Sequence, residues 1–223
     1  MIECLLTITG YVISYALYKK YQKPWFNPLY TTTLLVIGML YMFHIDTQSY
    51  VSNSSILNFL LGTATVSLAI PLYKQGKTLK KQLPLIFIGV ISGTVAGILT
   101  VFIISRIFHL DKALLYSLIP KSVTIPIALS ISNTLGGVPS LTVLFVVISG
   151  LFSLLAAPTL MNRIGIKSKT AKGLALGTSA QALGAGRALE LGEFEGAMGS
   201  AAMSMSALIM SVFSPFLFYL SYL

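Results

Sequence analysis

The chain has 223 residues, of which 55% are hydrophobic and only 9% charged, with a mean hydropathy of +0.84. Soluble domains carry about 25% charged residues, so this composition excludes a soluble globular class and points to a polytopic helical membrane protein. The net charge of +9 comes from twelve Lys and three Arg grouped between apolar runs, which is the pattern of loops facing anionic headgroups and not of a nucleic-acid surface. Cys4 is the only cysteine, which excludes a disulfide framework. His44 and His109 stand alone, so neither a metal site nor a cofactor is expected.

Eight apolar segments follow in order, at 2–18, 30–45, 56–73, 84–108, 113–133, 140–161, 172–189 and 197–221. Helix is the expected state, because in lipid only helices and closed barrels satisfy the backbone, and these runs lack the alternation of barrel strands. The first segment has no basic leader and ends on Lys19, Lys20 and Lys23, so it reads as an uncleaved span with its N-terminus outside. Pro24-Trp25-Phe26 reads as an interfacial anchor. The third segment, LLGTATVSLAIPLYKQ, is interrupted by Gly62, Thr63, Thr65 and Pro71, and four lysines, Lys74, Lys77, Lys80 and Lys81, follow it. The fifth contains IPKSVTIPIA, where Pro120 and Pro126 break a helix.

Charge then decides the topology. If all eight segments crossed, the loop at 162–172 with Arg163, Lys167, Lys169 and Lys172 would lie outside, against the positive-inside rule. If 113–133 enters and returns on one side, the three basic loops lie inside and the acidic stretch Glu190, Glu193, Glu195 lies outside. The expected fold is therefore an all-α membrane domain over 1–223, with seven crossings plus one re-entrant segment and the C-terminus inside. Leu61-Gly62-Thr63 recurs as Leu176-Gly177-Thr178, an offset of 115 that also maps segments two to four onto six to eight. With the directions reversed, 30–108 and 140–221 read as an inverted repeat, a common transporter architecture.

The seventh segment, LALGTSAQALGAGRALE, carries Gly177, Thr178, Ser179, Gln181, Gly184 and Gly186. Such residues serve close helix packing. They also serve a discontinuous helix, whose freed N–H groups attract an anion. Both readings stay open for this segment and for Gly62–Pro71. Lys121 lies inside the Pro120–Pro126 break, where an ionisable group at membrane depth costs about 2.5 to 3.5 kcal/mol unless paired or hydrated. It either snorkels to the interface or, with Ser122 and Thr124, faces a carboxylate substrate. Arg187 and Glu190 stand three apart on one helix face and are placed to pair. Glu193 and Glu195 read as a solvated outer loop, with capping or gating as the alternative for Glu195. No catalytic triad, carboxylate pair or metal spacing is present, so no enzymatic activity is expected.

Together, LGTATVSLAIPLYKQ, IPKSVTIPIALSIS, LGGVPSLTVLFVVISG and GLALGTSAQALGAGRALELGEFEGAMGS resemble the LrgB/CidB family of bacterial membrane proteins, most strongly from Pro120 to Ser200. The resemblance implies a multi-pass protein of the bacterial cytoplasmic membrane, acting with a small hydrophobic partner of the LrgA/CidA type and forming homo-oligomers. It implies two functions: holin/antiholin-like modulation of murein hydrolases and lysis, and transport of small 2-hydroxy or 2-keto monocarboxylates. The second comes from a related plant plastid-envelope protein that carries glycolate and glycerate, and from bacterial pairs linked to pyruvate uptake. This chain departs from the family pattern in three places. Thr63 follows Gly62 where Pro is usual, Gln181 stands where His is common, and Asn133 stands where an acidic residue is frequent. Losing the His and the acid weakens any proton-coupling scheme built on them. Transport accounts for the repeat, the broken spans and the central lysine, whereas a lysis regulator accounts only for packing glycines such as Gly184 and Gly196.

Overall fold

The computed structural model describes residues 2–21, 26, 28–67 and 69–220, so most of the expected anchor at Pro24-Trp25-Phe26 lies outside the described residues. All regular elements among them are helical. They form two compact units, 1–67 and 68–223.

The first unit contains α1 (Ile2–Tyr21), α2 (Pro28–Met42), α3 (Thr47–Asn53) and α4 (Ser55–Ser67). Gly10 of α1 faces Val36 and Thr32 of α2, and Thr7 Oγ1 hydrogen-bonds Tyr50 OH of α3 at 2.6 Å. Asp46 caps α3, where the Ser49 backbone N–H donates to its carboxylate across 3.0 Å and holds that carboxyl below its ordinary range. Gly62, Thr63 and Thr65 lie in α4, and the exposed Thr63 hydroxyl donates to the Phe59 carbonyl. The third apolar run is divided between α4 and α5 (Ala69–Lys74), which contains Pro71.

The second unit continues with α6 (Gly76–Ile107), α7 (Lys112–Leu118), a 3₁₀ turn (Ile119–Ser122), α8 (Ile125–Leu135), α9 (Pro139–Arg163), α10 (Lys169–Leu191) and α11 (Glu193–Leu220). Among the described residues, three helices are long and apolar enough to cross a membrane: Gly76–Ile107, Pro139–Arg163 and Glu193–Leu217. The 25 residues of α9 give about 37 Å, enough for a hydrocarbon layer of about 30 Å.

The segment 113–133 is broken as its prolines require. Buried Pro120 sits in the 3₁₀ turn, and Pro126 occupies the first turn of α8. Both ends of the segment lie together. The Val138 backbone N–H donates to Ser117 Oγ at 2.8 Å, and Tyr116 adjoins Gly136. The chain therefore enters after α7, turns at 119–124, and returns as α8.

The segment 172–189 is where structure and sequence reading part. Gln181, at φ +54° and ψ −126°, breaks α10 into two halves. A Cβ at Gly184 would collide with the Leu176 carbonyl, a pair that a continuous helix would hold about 12 Å apart. α10 thus doubles back instead of crossing. After Gly192 the chain reverses again, and Gly196 and Gly199 of α11 pack on Leu189 and Ala185, while Gly199 also meets Gly173 and Gly177. The acidic stretch 190–196 consequently shares an end of the unit with the basic loop 163–172 and does not lie opposite it. Lys74 Nζ stands 3.0 Å from Glu193 Oε1, and Glu195, expected in a solvated loop, is only 6% exposed at the start of α11. The positive N-terminal end of α11 favours a carboxylate there.

Two core clusters mark the two ends. Leu79, Ile86 and Val90 of α6 pack with Leu174, Ala197 and Met198 at the basic end. Ile98 and Val101 pack with Ile131, Leu135, Val146 and Leu217 at the other. α11 therefore runs from the basic end to the far end, so its C-terminal end does not share a side with the basic loops as expected.

Candidate functional site

The two re-entrant segments come from opposite ends and meet halfway. Gly150, near the midpoint of α9, adjoins Leu183 and Ala180 at the α10 bend. Gln181 Nε2 donates to the Lys121 backbone carbonyl at 2.9 Å. Breaks of this kind leave backbone groups without helical partners, and here the side chain of one break satisfies a carbonyl of the other.

Beside this junction lies a cavity of about 710 Å³. Its wall runs from Ser168 and Thr170 at the basic end to Lys121, Ser122 and Ser149 at mid-height, with Gly89, Gly93 and Gly97 of α6 on one side. Cβ atoms there would narrow the space between α6 and its neighbours, since Gly93 faces Thr178 of α10 and Gly97 faces Ser122 of the 3₁₀ turn.

Lys121 is half-buried, and its ammonium donates to Ser122 Oγ at 3.3 Å. Among the described residues no carboxylate pairs with it. A lone cation at this depth favours an anion beside it. Hydroxyls line the approach. Thr178 Oγ1 donates to the Leu174 carbonyl at 2.7 Å, and Ser153 Oγ donates to the Ser179 carbonyl at 3.4 Å. Ser179 Oγ is buried without a partner among the described residues. The arrangement offers one positive charge, several hydroxyls and apolar walls, which suits a small anion with a hydroxyl or carbonyl group.

Of the residues singled out in the sequence, Lys121, Ser122, Thr178 and Ser179 line the cavity. Thr124 sits at the N-cap of α8 and makes no side-chain cap. Gln181 is buried at the junction. Gly177 and Gly184 are packing positions, where a Cβ would collide with the Gly199 and Leu176 carbonyls. Gly62, Thr63 and Thr65 belong to the other unit, and Pro71 lies in α5. Arg187 and Glu190 form the expected ion pair on the returning half of α10. Sequence reasoning missed Gly89, Gly93 and Gly97, and Ser149 and Ser153. Their signal is a row of small residues at i, i+4 spacing, which places each set on one helix face.

The chain matches the LrgB-like family over residues 7–220. It is 39% identical to Uncharacterized protein YxaC of Bacillus subtilis (strain 168), over 99% of this chain and 96% of that protein. It is 35% identical to Holin-like protein CidB of Staphylococcus epidermidis, covering 98% and 95% of the two chains. Against Holin-like protein CidB of Staphylococcus aureus the identity is 33%, over 100% and 97%. No solved structure matches the chain. The family match covers nearly the whole chain and the relatives align end to end: the chain belongs to the LrgB-like family.

Proposed function

We propose that the protein is a membrane carrier, or the carrier subunit, for small 2-hydroxy or 2-keto monocarboxylates such as pyruvate, lactate or glycolate. The observation that carries this reading is Lys121, unpaired with any carboxylate among the described residues and set in the cavity wall at mid-height. A carboxylate supplies the missing charge, and the hydroxyls of Ser122 and Ser179 suit the oxygen at its second carbon. The N-terminal end of α8 adds a favourable dipole for the same charge. The basic end, with Lys74, Arg163, Lys167 and Lys169, is taken as cytoplasmic, so the cavity opens inward and α11 ends outside. By the same rule the N-terminus of α1 is outside. The re-entrant-segment-plus-helix pairs 112–163 and 169–220, entered from opposite ends, serve as the inverted elements of the carrier. A small LrgA/CidA-like partner and self-association complete the assembly.

The name of the staphylococcal relatives supports a second reading, a holin-like regulator of lysis that acts by oligomerisation. That role needs neither a central lysine nor converging re-entrant segments. Uptake of labelled pyruvate, lactate and glycolate into proteoliposomes, with and without the partner, separates the two. Saturable and mutually competable uptake is the result expected of a carrier. Its absence with folded protein in both preparations favours the lysis role.

A further inference from the structure

Gln181 adopts a backbone conformation that glycine takes freely and glutamine does not, in a stretch already rich in glycine. The side chain offsets that cost with a specific contact. It is 6% exposed and spans from the α10 bend to the 3₁₀ turn, where Nε2 donates to the Lys121 carbonyl. That carbonyl belongs to a turn that ends at Ser122, so no helix continues to supply it a donor.

A second, much smaller void lies near the junction. Ser122 borders the large cavity and also a void of about 10 Å³, whose wall is mostly apolar (Ile98, Ile119, Val123 and Met210) and includes Thr94 and Ser206. Ser206 is 3% exposed and its hydroxyl has no partner among the described residues. A void of that size holds about one water. Ser122, next to Lys121 in the 3₁₀ turn, is thus the residue shared by the large cavity and this void.

We infer that Gln181 is a latch between the two tips, and a positioning residue for Lys121, instead of a ligand to the transported molecule. While its amide holds the Lys121 carbonyl, the tips stay together and Ser206 is sealed from the large cavity. When the bond breaks, the tips part and a path opens from the large cavity to Ser206. What passes along that path rests on the carrier reading above; the latch itself does not.

The test needs no substrate. Ser206→Cys is introduced into the Cys4→Ser chain, reconstituted in liposomes, and its modification by a small membrane-impermeant thiol reagent is timed. Gln181→Gly and Gln181→Ala are compared with the parent; Gln181→Asn, which keeps an amide one methylene short of the carbonyl, replaces alanine if that variant does not fold. Loss of the latch raises the labelling rate about fivefold in both variants, the factor one hydrogen bond of ordinary net strength supplies. The unfolding midpoint of the glycine variant stays at or above that of the parent, which separates release of the tips from general loosening. An unchanged rate in both variants overturns the latch, and so does a rise in one alone, since only loss of the amide contact is common to both. Because the readout is labelling, the outcome stands whether or not the chain transports carboxylates.

Discussion

The side-chain amide of Gln181 donates to the backbone carbonyl of Lys121 across 2.9 Å. This single contact ties a bend within α10 to the break between α7 and α8, two segments that enter from opposite ends of the second unit. That meeting sets Lys121 at mid-height in the cavity wall.

The bend carries a measurable conformational cost. Positive φ at a non-glycine residue in this region costs on the order of 1–3 kcal/mol. Gln181→Gly removes the cost and Gln181→Ala retains it, while both lose the amide contact. The glycine variant should therefore be more stable than the alanine variant by about 1 kcal/mol, after allowing for glycine's own entropy. Thermal unfolding of the two purified proteins in the same detergent measures the difference.

The glycines of α10 should separate sharply in their tolerance of a methyl group. Gly177 and Gly184 lie against the carbonyls of Gly199 and Leu176, whereas Gly186 has nothing within 4 Å of where a Cβ would stand. Alanine at either of the first two forces backbones apart and should cost about 2 kcal/mol or more. Alanine at Gly186 should be neutral or stabilising by up to about 1 kcal/mol, since it only raises helix propensity. Unfolding midpoints of the three single variants decide this.

The acidic and basic loops should be reached from the same side of the membrane. Single cysteines at Glu193 and Lys167, in a Cys4→Ser chain, should react with an impermeant reagent applied to one face. A cysteine at Thr134, near the turn that precedes α9, should react only from the other. Labelling of the Glu193 and Lys167 positions from opposite faces would contradict the doubling-back of α10.

Much of this was legible in the sequence, and the misses have physical causes. The runs 84–108, 140–161 and 197–221 fall within or across α6, α9 and α11, because apolar length alone decides whether a helix can span. Pro120 and Pro126 announced their break, since proline removes a donor wherever it stands. The bend in α10 was not legible. The glycines pointed to a break in that run, but it falls on Gln181, and nothing in a glutamine side chain signals positive φ. That reversal carries 190–196 to the basic end, and its glutamates are no guide to the side, because acidic residues contribute little to topology. Lys121, Ser122, Thr178 and Ser179 were found because polar groups are conspicuous in apolar runs. Gly89, Gly93 and Gly97 escaped because a row of small residues serves packing as readily as a cavity wall.

The most direct test of the carboxylate site is uptake of labelled pyruvate into proteoliposomes by the parent chain, by Lys121→Met, and by Lys167→Met as a control on the exposed basic loop. With comparable amounts of folded protein, the account predicts that uptake is saturable in the parent, retained in Lys167→Met, and reduced at least tenfold in Lys121→Met, as expected when a charge-assisted contact is lost. Undiminished uptake by Lys121→Met would contradict it.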